Sequence, residues 1–388
     1  MLRVRAESEA KVAVHRKVVP GHDEHALFGA EPFDERRRVD AMRVFHERDG
    51  PCLWRDVGKG LSLVEPGPQD RIVGADDSAG AGQQARAARL RNDHGLTCHV
   101  VATATRRQGA RYGSQPCADA FEVIRRLGAS EADLRVVVEA TTLDVRAGEP
   151  ATSHVRAGIA AGCHVVTANK GPVACAYAEL RDAAARAGVR FLFEGAVMDG
   201  VPIFNLVRET LPAIDIIGFE GVVNTTTNHI ITALEAGGSF EDALARMQSE
   251  GIAEADPSLD VDGWDAAAKT AALANVLMDA RITPDDVERR GLDAGTGAAA
   301  RTAIERGRRL KLVASARREA DGRLVCTVEP RELPGDHLLA VLDGGANALI
   351  LETDMLDRIA ICQLAGSLTQ TAYALLSDIV TIARGARP

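Results

Sequence analysis

The chain has 388 residues, 46% hydrophobic and 26% charged, with a net charge of −9 at pH 7. This length allows two or three domains with a substantial core, and the negative charge argues against nucleic acid as a partner. Seven cysteines without a Cys-x-x-Cys pair favour reduced thiols, and no apolar run is long enough for a membrane span or a secretory signal, so we expect a cytoplasmic protein.

The first 87 residues differ in composition from the rest of the chain. They contain the run Arg36-Arg37-Arg38, scattered Pro-Gly pairs and no sustained hydrophobic period, which favours a loosely structured segment. Lys11 to Val19 could form a strand, but the turn Pro20-Gly21 follows it. The nearest match to a Gly-x-Gly-x-x-Gly phosphate loop, Gly80 to Ala85, has no buried strand before it. We therefore predict that this region lacks a strand followed by a glycine loop.

Strands and helices alternate further along the chain. This alternation, with helices of ten to fifteen residues, implies right-handed βαβ units and a parallel sheet. The predicted elements are helices at Ala151–Ala161 and Val173–Ala187 and strands at Cys163–Ala168 and Val189–Phe193.

Polar residues stand where the strands of this predicted sheet end. In parallel sheets ligands bind beyond the carboxyl ends of the strands, which is where Thr141, Thr142, Asn169 and Lys170 fall. A lone lysine at a strand end usually extends into solvent, and threonines there commonly cap the next helix. For Lys170 the turn-forming Gly171-Pro172 that follows favours a functional role.

The segment Gly251 to Lys269 is the most informative part of the sequence. A helix is predicted from Trp264, with Asp262 and Gly263 as its capping region, so Asp265 and Lys269 share one face. Such pairs are usually surface ion pairs, but Ala, Leu, Val and Met surround this one, and a buried charge pair is costly unless retained for chemistry or specificity. We predict a substrate site, crowded by the carboxylates of Glu254, Asp256, Asp260, Asp262 and Asp265.

This segment closely resembles the signature of homoserine dehydrogenases. The family pattern is a glycine, an apolar and a small residue, Asp-Pro, an Asp, and then Gly-x-Asp-x-x-x-Lys. Only the small residue that the family places four before the glycine differs, because Met247 stands there. The resemblance continues in the blocks Val136–Thr142, His164–Pro172, Phe193–Pro202, Gly221–Asn228 and Thr371–Asp378, the last resembling the helix that returns to the nucleotide domain.

The resemblance implies an α/β fold with a Rossmann-type parallel sheet, its first strand and glycine loop degraded, and an α+β domain for substrate binding and dimerisation. The divergent start has two explanations: a reading frame shifted until about Ala88, or a lineage-specific extension with a degenerate nucleotide loop. The implied divisions are a divergent segment 1–87, a nucleotide-binding domain 88–195, a substrate and dimerisation domain 196–360, and a returning helix 361–388.

The implied activity is the reversible oxidation of L-homoserine to L-aspartate 4-semialdehyde. Following the family, Lys269 and Lys170 are the candidates for proton transfer, directly or through water, and Asp265 orients Lys269 and the substrate hydroxyl. Glu254 and Asp260 neutralise the substrate ammonium, and Gly251 is a further expected substrate-binding residue. A lysine next to another cation in a partly dry pocket is expected to have a lowered pKa.

The implied cofactor is a nicotinamide dinucleotide. The segment Thr97–Thr103 resembles the family's second strand, and Arg106 and Arg107 follow it where a carboxylate would favour NAD, so NADP is the expected cofactor rather than NAD. Three glycines of a family turn are replaced in Gln363–Ser367, which could crowd the nicotinamide. The predicted cofactor contacts are Thr141, Thr142, Asn169, Lys170, Arg106, Arg107 and Gly366. The predicted site for a monovalent cation, Na⁺ or K⁺, is Glu194, Val197, Asp199 and Val201.

Family resemblance also suggests a homodimer, and the C-terminal sequence leaves no room for an appended regulatory module. Two other functions stay open. One is a related dehydrogenase acting on another amino-acid-derived aldehyde or amine. The other is an inactive homologue that keeps the substrate domain but cannot hold the dinucleotide.

Overall fold

The computed structural model describes residues 37–45, 77–249 and 256–385, which form two β-sheets with helices packed against them. None of the helices in these ranges is long and apolar enough to cross a membrane. The strands are β1 Arg37–Phe45, β2 Leu96–Thr105, β3 Gly109–Tyr112, β4 Gln115–Cys117, β5 Leu134–Ala140, β6 His164–Thr167, β7 Phe191–Leu192, β8 Ile216–Val222, β9 Glu288–Arg289, β10 Arg308–Arg318, β11 Leu324–Pro334, β12 Asn347–Thr353 and β13 Arg358–Gln363. The helices are α1 Asp77–His94, α2 Ala120–Gly128, α3 Ala151–Ala160, α4 Gly171–Ala187, α5 Phe204–Thr210, α6 Thr225–Glu235, α7 Phe240–Ser249, α8 Ser258–Val261, α9 Trp264–Leu277, α10 Thr296–Glu305 and α11 Leu368–Gly385.

The first sheet has seven strands in the order β4-β3-β2-β1-β5-β6-β7. β1, β2, β5, β6 and β7 run parallel, and β3 and β4 continue β2 as an antiparallel meander. Val136, Val137 and Val138 of β5 are fully buried because helices cover both faces. Val137 belongs to the core formed with α2, α3 and α4, whereas Val136 and Val138 pack with α11. This confirms the predicted Rossmann-type parallel sheet.

The prediction that the first strand is missing is wrong. β1 lies at the centre of the sheet and pairs in parallel with both β2 and β5. Central parallel strands usually show a continuous apolar run, but the sequence of β1, RRVDAMRVF, is interrupted by charges, which hid it from the hydrophobic pattern. The glycine match Gly80 to Ala85 lies inside α1 and not in a turn. Lys11 to Val19 and the connection 46–76 lie outside the described residues.

The elements predicted between Ala151 and Phe193 are present as α3, β6, α4 and β7. α4 begins at Gly171, earlier than predicted, because Pro172 suits the first turn of a helix. The returning helix is α11, whose Leu375, Ile379 and Ile382 pack beneath the parallel sheet.

The second sheet has six strands in the order β13-β12-β8-β10-β11-β9 and is antiparallel except where β9 joins β11. α9 packs between β10 and β11 of this sheet and α4 of the first. Its buried face is mostly alanine, so the helix axes can approach closely. Asn275 of α9 donates hydrogen bonds to the carbonyls of Val173 and Ala174 in the first turn of α4. The start of α4 and the last turn of α9 are therefore held together.

Candidate active site

Two lysines from different parts of the fold meet on one carboxylate. Lys170 Nζ lies 3.0 Å from Asp265 Oδ1, and Lys269 Nζ lies 3.1 Å from Asp265 Oδ2. The three side chains are only 14–15% exposed, so water screens this contact less than it would at the surface. The carboxylate therefore holds two ammonium groups close to one another.

Strand and helix geometry explains the position of Lys170. It immediately precedes α4, three residues after the end of β6. The neighbouring Asn169 fixes this turn, because its Nδ2 donates to the carbonyls of Thr141 and Thr142 and its Oδ1 accepts from the amide of Gly171. Lys170 is thereby directed from the carboxyl end of the parallel sheet toward α9.

Asp265 and Lys269 lie one turn apart on α9, as the sequence predicted. Gly263 occupies the N-cap position just before the helix, its φ of +79° is in the left-handed region that favours glycine, and no side chain caps the helix. The expected capping contribution of Asp262 is therefore wrong. Lys269 Nζ also donates to the carbonyl of Val223, 2.6 Å away, just after β8. This contact fixes the ammonium between the two sheets.

Asn224, which the sequence analysis did not select, completes the cluster. Its Nδ2 donates to Asp260 Oδ1 at 2.7 Å and to Asp265 Oδ2 at 2.9 Å. The sequence did hold a signal, because an asparagine between the end of a strand and the run Thr225-Thr226-Thr227 is typical of a helix N-cap. Its second role depends on contacts with residues far along the chain, which no local pattern reveals.

The charges of this cluster shift the pKa values of its members. Burial opposes ionisation of Asp265, but Lys170 and Lys269 outweigh it and hold the pKa of Asp265 well below its usual range. Burial, together with the charge on Asp265, raises the pKa of Asp260. Burial also opposes the charge on Lys269, but Asp265, Asp199 and Asp260 outweigh it and raise the pKa of Lys269. The expected lowering of the Lys269 pKa is therefore wrong, because carboxylates dominate over the neighbouring cation.

Two predicted substrate residues, Gly251 and Glu254, lie outside the described residues. Asp256 is exposed, and its carboxylate accepts a hydrogen bond from the amide of Ser258. Asp260, the other predicted ligand of the substrate ammonium, does lie at the cluster, because its carboxylate accepts a hydrogen bond from Asn224.

The carboxyl ends of the parallel strands are level with one another. Phe45 of β1 pairs with Thr105 of β2 and with Ala140 of β5, and Glu139 of β5 pairs with Thr167 of β6. The predicted cofactor residues that follow these strands therefore share one edge of the sheet. They are the exposed Arg106 and Arg107 after β2, Thr141 and Thr142 after β5, and Asn169 and Lys170 after β6.

Some of these side chains already have protein partners. Glu139 is fully buried, and burial raises its pKa. Its carboxylate accepts from the amide and hydroxyl of Thr141 and from the hydroxyl of Thr167. Thr141 and Asn169 thus shape the edge of the sheet, whereas Thr142 is exposed there.

The loop predicted to hold a cation is occupied by internal hydrogen bonds. The carboxylate of Glu194 accepts from the amides of Ile203, Phe204 and Asn205. Asp199 has a left-handed φ of +47°, and its carboxylate accepts from Gln363 and Thr371. Val197 is buried, and the amide of Val201 donates to the carbonyl of Met198.

Gly366 packs closely against this loop. A side chain does not fit there, because a Cβ on Gly366 would lie 2.5 Å from Asp199 Oδ2. Leu364, two residues before Gly366, is 84% exposed. A cavity of about 1190 Å³ opens beside this turn, between α1 and α11. Its lining includes Gln363, Leu364 and Tyr373 but neither Lys170 nor Lys269.

Comparisons with known proteins agree with this geometry. The family model described as "Homoserine dehydrogenase" matches residues 202–380, and that described as "Homoserine dehydrogenase, NAD binding domain" matches residues 81–194. The NAD(+)-dependent homoserine dehydrogenase of Pseudomonas canavaninivorans is 38% identical over 295 residues, 76% of this chain and 83% of the relative. The homoserine dehydrogenase of Methanocaldococcus jannaschii is 40% identical over 253 residues, 65% of this chain and 74% of the relative.

Solved structures give the same result. A homoserine dehydrogenase from Thiobacillus denitrificans superposes with a TM-score of 0.72 and 28% identity, covering 90% of this chain and 74% of that one. A putative homoserine dehydrogenase from Archaeoglobus fulgidus has a TM-score of 0.69 and 27% identity, covering 88% of this chain and 99% of that one. The similarity therefore spans both sheets.

Proposed function

Because this chain belongs to the homoserine dehydrogenase family, we propose that it interconverts L-homoserine and L-aspartate 4-semialdehyde with a nicotinamide dinucleotide. The observation that carries the proposal is the pair of ammonium groups on Asp265, placed where the carboxyl edge of the parallel sheet meets α9. Oxidation of an alcohol needs a group that takes the hydroxyl proton, and reduction of an aldehyde needs one that supplies it. The paired lysines meet both needs.

A nicotinamide held at the strand ends beside Thr142 and Lys170 would supply or accept the hydride at carbon 4 of the substrate. Lys269 Nζ holds the proton that moves to or from the substrate oxygen, directly or through water, and Asp265 orients this ammonium. Lys170, on the other oxygen of the same carboxylate, is the second proton-transfer candidate. Asp260 binds the substrate ammonium, which would favour the charged form of the Asp260 carboxyl, and Glu254 is a second candidate ligand that the sequence alone indicates.

The assay that tests this function measures nicotinamide absorbance with homoserine, aspartate 4-semialdehyde and aspartate as separate substrates. We expect turnover of the first two and none of aspartate. Faster turnover of another amino-acid-derived aldehyde or amine would support a related dehydrogenase instead. If fluorescence titration shows no binding of NADH or NADPH at millimolar concentration, the protein is an inactive homologue.

The raised pKa of Lys269 predicts different pH profiles for the two directions. Oxidation needs an unprotonated Lys269, so we expect its kcat/KM to rise through the alkaline range, from about pH 8 to pH 10. Reduction uses the protonated form and should not gain over that range. Initial rates in both directions across pH check this. An oxidation rate that reaches its plateau below pH 7 would contradict the assigned proton carrier.

We propose NADP as the preferred cofactor because Arg106 and Arg107 follow β2, where the adenosine ribose is expected, and no carboxylate stands in the turn Arg106–Gln108. The name of the Pseudomonas canavaninivorans relative specifies NAD(+) for that protein, so both cofactors must be compared.

Replacing both Arg106 and Arg107 with serine is expected to lower kcat/KM for NADPH about tenfold and to change that for NADH little, because the 2′-phosphate, which NADH lacks, loses two charged partners. Steady-state kinetics with each cofactor measures this difference. Arg125→Ser is a matched control, since that side chain is 74% exposed on α2, outside the predicted ribose position. An equal effect on both cofactors would overturn the NADP assignment.

For a monovalent cation, Na⁺ or K⁺, the carboxylates of Glu194 and Asp199 are not the main proposed ligands, because they already accept hydrogen bonds from protein donors. The main-chain carbonyls of the loop, including those of Val197 and Val201, are the proposed ligands. We assign no step of the reaction to this ion.

We also propose a homodimer through the substrate domain. Leu338, Val341, Met355 and Leu356 expose 39%, 59%, 72% and 48% of their surface in this domain, which favours association. Light scattering during size-exclusion chromatography should give twice the chain mass of 41.1 kDa.

A further inference from the structure

We infer that Asn224 is a positioning residue for the proposed reaction: its amide holds Asp260 and Asp265 side by side, so that Asp265 faces both lysines. The inference rests on the proposed function. Asn224 is 4% exposed and links a residue of α8 to a residue of α9, while itself preceding α6. Three elements that meet at the site are thereby joined by one amide group.

The direction of this amide is fixed by its other contacts. Asn224 Oδ1 accepts from the amide of Thr227 at 2.8 Å and from the Thr227 hydroxyl at 2.9 Å, as the N-cap of α6. Nδ2 must therefore face the carboxylates. The opposite orientation would place a carbonyl oxygen against two carboxylates and leave the helix amide without its acceptor.

This donor resolves a conflict between two like charges. Burial and the charge on Asp265 raise the pKa of Asp260, and the amide of Asn224 opposes both effects. The amide also favours the charged form of Asp265, whose Oδ2 it shares with Lys269 Nζ. Without it the two carboxylates would repel each other, and Asp265 could rotate away from one lysine. The charged groups around this amide are Asp260 and Asp265 in direct contact, and Lys170, Lys269 and Asp199 beyond them.

Capping can be separated from positioning by two substitutions that keep the cap. Serine and aspartate both accept from an N3 amide, so Asn224→Ser and Asn224→Asp should preserve α6. Neither supplies an amide donor that spans both carboxylates. We expect Asn224→Ser to lower kcat about 10- to 100-fold, as for a lost hydrogen bond to a charged group, with a Tm near that of the parent. The acid limb of its pH profile should move to higher pH.

Asn224→Asp adds a third carboxylate, so its kcat should be lower still at neutral pH. It should recover partly as the pH falls, because the protonated side chain again supplies a donor. The control is Asp119→Ser, which changes the N-cap of α2 outside the cluster, where Asp119 accepts from the amide of Glu122. Its kcat and pH profile should not move. Parent-like kcat and pH profiles in both Asn224 variants would show that the residue only caps α6.

A second readout does not depend on turnover. In protein labelled with ¹³C at aspartate carboxyls, the Asp265 signal is assigned by its loss in Asp265→Asn. We expect its apparent pKa to rise by about one unit in Asn224→Ser. An unchanged Asp265 titration would overturn the positioning role even if the parent oxidises homoserine. If the Asp265 pKa rises in Asn224→Ser but the parent does not oxidise homoserine, the positioning role is supported and the proposed function is rejected.

Discussion

Replacing Lys269 with alanine is expected to lower kcat about 10³-fold or more in both directions, while the protein stays folded. Proton transfer by a positioned side chain contributes about 10²- to 10⁴-fold to a rate, and Lys269 Nζ is held for this role by Asp265 and the Val223 carbonyl. Its side chain is 15% exposed, so water can replace the ammonium in the variant. Steady-state rates and the thermal unfolding temperature measure the two effects.

The matched control is Lys311→Met, which removes a fully buried lysine that lies outside the candidate site. Lys311 is fully buried on β10, and its Nζ donates to Asn228 Oδ1 and to the carbonyl of Leu342. Removing it leaves buried acceptors without that donor, so we expect a lower Tm but little change in kcat of the folded enzyme. Activity of Lys269→Ala within tenfold of the parent would show that another group carries the proton.

The parallel sheet could be predicted from its local patterns, but its centre could not. The segments that became α3, β6 and α4 have regular apolar spacing, and Gly162 and Pro172 mark the limits of α3 and α4. β1 was missed because its charged residues interrupt the expected apolar run, and only pairing with β2 and β5 fixes its place. Such pairing brings together residues that are far apart in sequence, so no short window contains it.

The same distinction applies to the candidate site. The spacing of Asp265 and Lys269 fixes their shared helix face, and the end of β6 gives Lys170 its edge of the sheet. Their meeting on one carboxylate depends on the packing of α9 against α4. The direction of the Lys269 pKa was missed because Asp265, helped by Asp199 and Asp260, outweighs burial, and Asp199 lies in another loop. The bridge made by Asn224 was missed for the same reason.

Asp265→Asn is the second variant with a large expected effect, and it should lose both activity and stability. The side chain keeps its shape, but the two ammonium groups then lie close together without the carboxylate that aligned them at 3.0 and 3.1 Å. Leaving a charge unpaired in a largely buried site costs about 3 kcal/mol or more. We expect kcat to fall about 10²-fold or more, and the free energy of unfolding in urea at pH 7 to fall by about 3 kcal/mol.

The stability difference should depend on pH with a defined sign. The pKa of Asp265 is depressed in the folded protein, so its ionisation stabilises the fold above the pKa of the unfolded chain, about 3.9. That contribution is lost as the pH falls through the folded pKa, where the parent carboxyl also becomes neutral. The gap in unfolding free energy between parent and Asp265→Asn should therefore be constant near neutral pH and narrow in acid.

Asp262→Asn is the matched control, because Asp262 is exposed three residues earlier on the same segment. Asp262→Asn removes the same charge, so a general effect of net charge on stability would appear in both variants. Only Asp265→Asn removes the carboxylate that contacts both lysines. Urea titrations of the three proteins at several pH values separate these causes. If Asp265→Asn matched Asp262→Asn in stability and turnover, the shared carboxylate would not be what holds Lys170 and Lys269 in place, and the site would need a different organising group.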